Sequence, residues 1–425
     1  MRTLAVVGGG VIGLSVAWRA AEEGWTVTLF DPASGSGASW VAGGMLAPLS
    51  EGWPGEDDAL EFGAASLTRW PDFAARLQAR TGAELFTANR TLTVALDAAD
   101  VVDLRTIADW VNAHDLPALP GDPGCGAADR HLRLLDRAGV RAAEPGLARA
   151  VRAGLLAASE PAVDNRALVS ALRAACAAVG VEFIAEQVVS EYSPENAGEP
   201  IANHGAAHSE SHSRLLHELP HDRIVVAAGA AAAQLWPALP VRPVKGEILR
   251  LRRRPSAPAP PQGVIRGRVH GRPIYLVPRN DGIVLGATQY EQGFDTAVTV
   301  AGVRDLITDA ETILPGIGEY EFAEAAAGSR PGTPDNLPLI GYVDDRVIAA
   351  TGHGRNGILC TPVTADAVLA LLADTQLPEA RAAAPDRFEP KPKGPRPATA
   401  AEERALSANY RRRASATPFS PGGAR

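Results

Sequence analysis

The sequence predicts an α/β fold in which a parallel sheet is joined to a second, mixed and largely antiparallel sheet. The chain opens with a short apolar run at residues 3–7, a glycine-rich turn and a helical pattern at residues 11–23. A second strand, glycine and helix follow at residues 223–236. Several β-like runs with short breaks lie between residues 244 and 288. Alternating strands and helices are typical of parallel sheets, whereas closely spaced strands favour antiparallel pairing.

The turn after the first strand has the spacing G-x-G-x-x-G, formed by Gly8, Gly10 and Gly13. Gly8 permits a tight turn, Gly10 lets backbone approach a pyrophosphate, and Gly13 lets the helix pack closely on the strand. A second strand at residues 26–30 leads to Asp31, near the position of the carboxylate that accepts ribose hydroxyls in such folds. We therefore expect a Rossmann-type dinucleotide-binding domain. The alternative is an ordinary βαβ turn with a solvated Asp31.

The composition is that of a globular protein of two or three domains. The chain has 425 residues, of which 46% are hydrophobic, and its 49 acidic residues outnumber 41 basic ones. This balance argues against nucleic acid as the main partner. The cysteines Cys125, Cys176 and Cys360 are widely spaced and form no metal or disulfide framework, which is typical of a reducing compartment. We expect a cytoplasmic protein without a signal peptide, a transmembrane helix or a membrane partner.

Apolar periodicity and capping residues predict the remaining elements. Asp164 is a suitable N-cap for a helix that ends near Val179, and Gly180 suits its C-terminal end. Helices are predicted at residues 56–80, 101–114, 136–144, 164–179, 303–314 and 358–373. Strands are predicted at residues 91–96, 154–158, 181–188, 223–228, 244–251, 274–277, 283–288, 320–327 and 347–350.

Two segments interrupt this pattern. Residues 190–222 are rich in Ser, Glu, Asn, Gly and His, and the spacing of some histidines is compatible with a metal site on a helix. No cysteine or fixed acid accompanies them, so we predict a solvated insert and no metal. Residues 390–425 are rich in proline and basic residues and are predicted to be a disordered tail. The histidines of the insert are His204, His208, His212, His217 and His221.

The opening turn is one of several motifs that occur in a recognisable order. The others are Val41 to Pro48, Pro243-Val244-Lys245-Gly246-Glu247, Tyr275 to Arg279, Gly286-Ala287-Thr288, Arg330 to Asp335 and Gly352 to Gly357. Together they resemble the flavin-dependent D-amino-acid oxidase family, and within it they are most similar to the glycine oxidases of the thiamine-thiazole pathway. The resemblance covers roughly residues 1–375 and leaves out the histidine-rich insert and the tail.

The resemblance implies a non-covalently bound FAD and a small amino-acid substrate such as glycine. It implies oxidation of the amine to an imine, with electrons passing to molecular oxygen to give hydrogen peroxide. The imine would hydrolyse to glyoxylate or feed thiazole formation, which makes thiazole synthase an expected partner. A homo-oligomer is also compatible with the resemblance.

The resemblance also implies positions that contact FAD. They match Val11, Ile12, Asp31, Ala38, Ser39, Gly43, Gly44, Met45, Val188, His353, Gly354, Arg355, Asn356, Gly357, Ile358 and Leu359. Gly229, in the second strand-glycine-helix unit, is expected beside them. A helix that begins near Gly357 would direct its positive end at the flavin. The alternative for His353 is a simple loop residue.

The substrate carboxylate is expected to bind residues that match Arg330 and Arg355, with Tyr275 beside them. A guanidinium can bind a carboxylate through two parallel hydrogen bonds, and a tyrosine hydroxyl adds direction. The alternatives are a structural salt bridge for Arg330 and a half-buried sheet aromatic for Tyr275. No strong protein base is required, because hydride leaves Cα once the amine is neutral.

The order of the predicted elements divides the chain into two expected domains. The FAD-binding domain is discontinuous and comprises residues 1–45, 155–240 and 340–375. The substrate-binding domain comprises residues 46–154 and 241–339.

Two positions depart from the family pattern, namely Gln289 after Gly-Ala-Thr and Pro273 before the tyrosine. Both would alter the pocket lining, so the preference for glycine over sarcosine or small D-amino acids stays open. The Gly328-Ser329 stretch has no cysteine of the kind that attaches flavin covalently. Two other functions also stay open: a D-amino-acid or sarcosine dehydrogenase with another electron acceptor, and a flavin-binding module without turnover.

Overall fold

The computed structural model describes residues 1–33, 35–116, 130–190 and 213–388. Residues Met1–Pro385 form one compact unit, and of a second unit, Asp386–Arg425, only residues 386–388 are described. The predicted tail and the histidines His204, His208 and His212 lie outside the described residues. The solvated insert predicted to reach residue 222 was wrong at its end, because residues 213–215 form a strand and Leu216 and Leu219 are buried in the core. Within these ranges, none of the helices combines the length and the apolar character needed to cross a membrane.

The described residues form strands and helices that are numbered here in chain order. The strands are β1 Thr3–Val7, β2 Thr26–Phe30, β3 Phe86–Ala88, β4 Thr91–Ala95, β5 Arg133–Leu135, β6 Ala153–Ala157, β7 Ala162–Val163, β8 Glu182–Ile184, β9 Gln187–Val189, β10 Ser213–Leu215, β11 Arg223–Val226, β12 Arg242–Arg252, β13 Val264–Val269, β14 Arg272–Arg279, β15 Gly282–Gly286, β16 Glu321–Gly332, β17 Leu339–Tyr342 and β18 Val347–Thr351. The helices are α1 Val11–Glu22, α2 Ala38–Val41, α3 Asp57–Thr81, α4 Ala98–Asn112, α5 Arg137–Ala143, α6 Asn165–Ala178, α7 Ala232–Leu235, α8 Val300–Ile313 and α9 Thr361–Leu372.

The first sheet has six strands in the order β17-β18-β11-β1-β2-β8. All neighbours are parallel except the edge pair β17 and β18. Its central strands are apolar and buried, as expected for a sheet covered on both faces. Helices α1, α3, α6 and α9 share one apolar core with it. The predicted parallel α/β sheet is therefore confirmed.

The second sheet has eight strands in the order β16-β12-β15-β14-β13-β4-β6-β5. Only the β13–β4 pair is parallel, so this sheet is mixed and largely antiparallel, as predicted. Helix α8 packs on it through Leu306, Ala310 and Ile313. The sequence pattern missed strand β13, whose alternation is broken by two arginines and a glycine.

Several predicted elements were wrong in their bounds; the strand expected at residues 320–327, for example, runs on to Gly332 as β16. The single strand expected at residues 181–188 is divided between β8 in the first sheet and β9, which pairs instead with β10. The chain leaves the first sheet after Ile184, whose carbonyl accepts a hydrogen bond from Asp31. The last helix begins at Thr361 rather than Ile358, because Pro362 has no N–H to donate and suits the first turn. The predicted Asp164 cap is confirmed, since its side chain accepts from the N–H groups of two following residues.

A buried carboxylate, Glu160, holds the loop that precedes α3. Glu160 is fully buried, and its Oε1 accepts hydrogen bonds from the N–H groups of Leu49 and Ser50, the latter at 2.9 Å. Burial raises the pKa of Glu160 to about 7, against the lowering effect of those hydrogen bonds. The folded protein therefore takes up a proton at Glu160 at a higher pH than the unfolded chain does.

This shift predicts how Glu160→Gln changes the free energy of unfolding with pH. Because the folded pKa is raised, Glu160 contributes stability below its ordinary pKa of 4.5 that is lost as pH rises through about 7. The glutamine variant stays neutral. As pH rises from 4.5 to 8, its free energy of unfolding should therefore increase relative to that of the wild type by up to about 3 kcal/mol. Urea unfolding at several pH values measures this difference.

Thr91→Val is a suitable control. It removes the hydroxyl that donates to the Glu160 carbonyl at 3.0 Å but changes no charge, so its pH profile should run parallel to that of the wild type. A parallel profile for Glu160→Gln as well would show that Glu160 titrates normally in the folded protein.

Candidate active site

A cavity of about 2280 Å³ is lined by residues of both sheets. Its wall includes the turn before α1, the ends of β2 and β11, and side chains from β13, β14 and β16. Pockets for drug-sized ligands hold roughly 300 to 1,000 Å³. The cavity is therefore large enough for a dinucleotide together with a small substrate.

The turn before α1, called the glycine cradle below, packs so closely on neighbouring backbone that two of its glycines have no room for a side chain. Gly8 has a φ of +110°, and a Cβ there would lie 2.4 Å from the Ala227 carbonyl oxygen. A Cβ at Gly13 would lie 1.8 Å from the Gly8 carbonyl oxygen. Helix α1 has no side-chain cap at Gly10 and no acidic residue in its first turn. Its N-terminal N–H groups and positive end suit a pyrophosphate.

Asp31 follows β2 on the wall of the same cavity. Its Oδ2 accepts a hydrogen bond from Gly9 at 2.5 Å, and its Oδ1 accepts one from Ala33 at 2.8 Å. These contacts fix the carboxylate beside the glycine turn. The geometry matches the acceptor of ribose hydroxyls in dinucleotide-binding folds.

The structure brings most of the expected cofactor residues to this wall, and their roles stay predictions. The residues on the wall are Gly8, Gly10, Val11, Ile12, Asp31, Ala38, Ser39, Gly43, Gly44, Met45, Val188, Gly229, His353, Gly354, Arg355, Asn356, Gly357 and Ile358. Gly13 instead packs against Gly8, and the Leu359 carbonyl accepts hydrogen bonds from Ser66 and Trp70 in the core.

The segment before α9 differs from the expectation in one respect. A turn at residues 357–360 precedes the helix, so residues 356–358 rather than the first residues of α9 form the wall. His353 is buried, and its Nε2 lies 2.9 Å from the Thr364 hydroxyl oxygen. Burial lowers the pKa of His353 to about 3, so the ring is neutral near pH 7. His353 therefore supplies shape and polarity here rather than positive charge.

Arg330 reaches the cavity from β16 and lies across Gly246 of β12. A Cβ at Gly246 would lie 2.3 Å from both terminal nitrogens of the guanidinium. Arg330 Nη1 donates to the carbonyls of Thr288 at 3.3 Å and Lys245 at 3.4 Å. Burial lowers the pKa of Arg330. Within the described ranges, Arg330 has no ion pair with a carboxylate, so the structural salt bridge considered above is not found.

Tyr275 of β14 lies against two glycines beside Arg330. A Cβ at Gly286 would lie 2.2 Å from the tyrosine hydroxyl oxygen, and one at Gly43 would lie 3.2 Å from it. Burial raises the pKa of Tyr275, so its hydroxyl keeps its proton near pH 7 and can donate it to a carboxylate. Arg355 completes the expected set and is mostly exposed, with its Nε 3.3 Å from Glu51 Oε2.

Sequence reasoning missed the residues behind this set. Lys245 has no exposed surface, and its Nζ lies 2.5 Å from Asp295 Oδ2 and 3.5 Å from Glu247 Oε1. Arg279 Nη2 donates to the Gly43 carbonyl at 2.8 Å, which holds the Gly43-Gly44 turn. The motifs could have pointed to these residues. Side chains in Lys245-Gly246-Glu247 and in Tyr275 to Arg279 alternate between the two faces of their strands, so each motif also places residues on the face behind the site.

The comparison with known families agrees with this geometry. The family model described as "DAO: FAD dependent oxidoreductase" matches residues 3–371. The chain belongs to this family. FAD is therefore its cofactor, and the glycine cradle, the N-terminal end of α1 and the Asp31 carboxylate fit that group. When bound, FAD supplies an acceptor for a hydride from the substrate.

Relatives of the FAD-dependent oxidoreductase cover most of the chain. A "Bifunctional protein ThiO/ThiG" of Synechocystis sp. is 32% identical over 395 residues, which cover 90% of this chain and 53% of that protein. A "Glycine oxidase" of Geobacillus kaustophilus is 29% identical over 85% of this chain and 90% of that one. The crystal structure of glycine oxidase from Geobacillus kaustophilus has a TM-score of 0.76 at 26% identity and covers 91% of this chain and 99% of that chain. The chain spans about half the length of the first of these relatives.

The space that Gly246 leaves for the Arg330 guanidinium gives a prediction for Gly246→Ala. The added methyl group would push the guanidinium out of position, so carboxylate ligands such as glycolate should bind roughly 10- to 100-fold more weakly, in keeping with the loss of a charged hydrogen bond. FAD content should not change. The perturbation of the flavin spectrum by glycolate gives the dissociation constant.

Gly332→Ala on the same strand pair is the matched control, because the nearest atom to its Cβ would be a Val244 methyl carbon at 3.1 Å, and the others would lie at ordinary contact distances. Unchanged glycolate binding in Gly246→Ala would show that Arg330 does not hold the carboxylate in this position.

Proposed function

We propose that this FAD-dependent oxidoreductase is a glycine oxidase that converts glycine to its imine and reduces oxygen to hydrogen peroxide. The observation that carries the proposal is the partly buried Arg330 cation, which lies over Gly246 with no carboxylate partner among the described residues. It shares a cavity with the dinucleotide cradle. The relatives named above as glycine oxidase and ThiO/ThiG support glycine as the substrate, and sarcosine and small D-amino acids belong to the same substrate class.

The site residues bind and orient the amino acid. Arg330 offers two parallel N–H groups to the carboxylate, and the Tyr275 hydroxyl donates a third hydrogen bond. Arg355, which lies on the same wall, adds a second positive charge. Partial burial of Arg330 and Tyr275 strengthens these contacts, because it reduces competition from water. Cα is bonded to the carboxylate carbon of the substrate. Holding the carboxylate at Arg330 therefore also limits where Cα can lie.

The reaction balances with oxygen as the second substrate. Glycine loses a hydride from Cα and a proton from nitrogen, and the imine C=N bond forms. Oxygen gains the two electrons and two protons as hydrogen peroxide. The imine then hydrolyses to glyoxylate and ammonia.

The remaining roles belong to the same proposal. The names of the ThiO/ThiG relatives support delivery of the imine to a thiazole synthase. The free thiols of Cys176 and Cys360 are in keeping with a cytoplasmic enzyme. Neither of these two cysteines is on the cavity wall, which is in keeping with non-covalent FAD. We place FAD binding with the first sheet and substrate binding with the second, and the homo-oligomer stays a prediction.

Arg330→Ala tests the function directly. Loss of a charged contact of about 1.5 to 3 kcal/mol should raise the KM for glycine by roughly 10- to 150-fold, while the bound flavin keeps its spectrum. Oxygen uptake and peroxide release are measured with purified FAD-loaded protein. Arg252→Ala is the control, because Arg252 forms an exposed ion pair with Glu321 on the same sheet.

Three results would contradict the proposal. Flavin loss in Arg330→Ala would assign Arg330 to the cofactor. Flavin reduction by glycine without oxygen uptake would identify a dehydrogenase. Failure of glycine, sarcosine and D-alanine to reduce the flavin would exclude all of these amines as substrates.

A further inference from the structure

Glu51 is a carboxylate on the cavity wall that the reaction described above does not use. Its side chain is only 9% exposed. Glu51 Oε1 lies 3.1 Å from Arg266 Nη2, and Oε2 lies 3.3 Å from Arg355 Nε. Despite that ion pair, Oε2 is buried and accepts no hydrogen bond from any residue that the structure describes. Glu51 therefore has an oxygen that lacks a donor.

Glu51 acts on the residues expected to bind the substrate carboxylate. Burial is the main cause of the raised pKa of Tyr275, and the charge of Glu51 adds to it. The same charge partly offsets the lowering of the pKa of Arg330, of which burial is again the main cause. Glu51 thus lies within electrostatic range of both residues. Glu51 and the residues expected to bind the carboxylate therefore lie in one region of the cavity.

An amino acid brings two charges into that region. With its carboxylate on Arg330, the ammonium group of the substrate is only two bonds further along the molecule. A buried ammonium without an acceptor is costly, because it loses its hydration and gains no partner. The site needs an anionic acceptor close to Arg330 and Tyr275.

We propose that Glu51 accepts the substrate ammonium on Oε2 and is the residue that selects amino acids over hydroxy acids. This inference rests on the proposed function for its substrate class. Arg355 is 54% exposed and is free to turn from Glu51 to the substrate carboxylate. The substrate ammonium then takes the place of Arg355 beside Oε2.

Four contacts hold Glu51 and its loop in place. Arg266 approaches Oε1, and its Nη1 donates to the neighbouring Ser50 hydroxyl at 3.3 Å. Behind the loop, Glu160 accepts hydrogen bonds from the N–H groups of Leu49 and Ser50. The carboxylate is therefore fixed from β13 and from the buried side of the loop. The charged or titratable groups placed around it in the structure are Arg266, Arg330, Arg355, Tyr275 and Glu160.

The contact has opposite effects on binding and on turnover. A nearby negative charge favours the ammonium form and raises the pKa of the bound amine. Hydride leaves Cα only once the amine is neutral. Glu51 should therefore tighten glycine binding and move the acid limb of the kcat profile to higher pH. Glu51→Gln should reverse both effects.

The test compares glycine with glycolate, which replaces the amine by a hydroxyl. In FAD-loaded Glu51→Gln, the KM for glycine should rise by roughly 10- to 100-fold, as for a lost charged hydrogen bond. The inhibition constant of glycolate should stay the same or fall, because Arg266 and Arg355 lose a competing anion. The acid limb of kcat should move to lower pH.

Glu56→Gln is the matched control. Glu56 lies on the same cavity wall and accepts a hydrogen bond from Asn336 at 2.9 Å. Its amide variant should change neither the glycine KM nor the glycolate constant. Thermal unfolding of both variants shows whether they keep the fold, and Glu51→Asp keeps the charge and should recover part of the glycine affinity.

Each outcome decides the inference. Equal weakening of glycine and glycolate in Glu51→Gln would mean that Glu51 only holds the arginines in place, and unchanged glycine binding would mean that it does not meet the ammonium. If wild-type protein does not oxidise glycine, the proposed function fails, but glycine then serves as a binding probe through the flavin spectrum. Its dissociation constant still tests Glu51, and absence of glycine binding would also overturn the inference.

Discussion

The guanidinium of Arg330 can enter the cavity only because Gly246 has no side chain beneath it. The pairing of β12 with β16 sets Arg330 opposite Val244, which makes Gly246 its diagonal neighbour on the same face of the sheet. The neighbours of Gly246, Lys245 and Glu247, point to the other face and form a buried ion pair there. The motif at residues 243–247 thus leaves space for Arg330 on one face of the sheet. On the other face, its lysine and glutamate hold the strand through their ion pair.

The charges on the cavity wall complement those of an amino acid. Arg330 and Arg355 suit the carboxylate of an amino acid, and Glu51, steadied by Arg266, suits its ammonium group. A site with arginines alone would bind any small acid, including the hydroxy acids that the amine chemistry cannot use. Placing one carboxylate among the arginines makes the site complementary to a zwitterion, and burial makes the distinction stronger than it would be in water.

The sequence predicted the parts of this protein that depend on local rules. The turn formed by Gly8, Gly10 and Gly13, the Asp164 cap and the antiparallel runs of the second sheet are all set by neighbours in the chain. The partners of Glu51 could not be predicted in this way, since Arg266 and Arg355 come from distant segments that only the fold brings together. The expected strand at residues 181–188 failed for a related reason: its second half, β9, pairs with β10, which lies within the segment predicted to be an insert. Cofactor and substrate roles came from the family resemblance, because composition and periodicity carry no information on which ligand a pocket holds.

The most direct measurement is a crystal structure of the FAD-loaded protein with glycolate bound. We predict that both carboxylate oxygens lie within hydrogen-bonding distance, roughly 2.7 to 3.2 Å, of the Arg330 guanidinium above Gly246, with the Tyr275 hydroxyl donating to one of them. A carboxylate bound elsewhere in the cavity, or an Arg330 side chain turned away from the flavin, would contradict it.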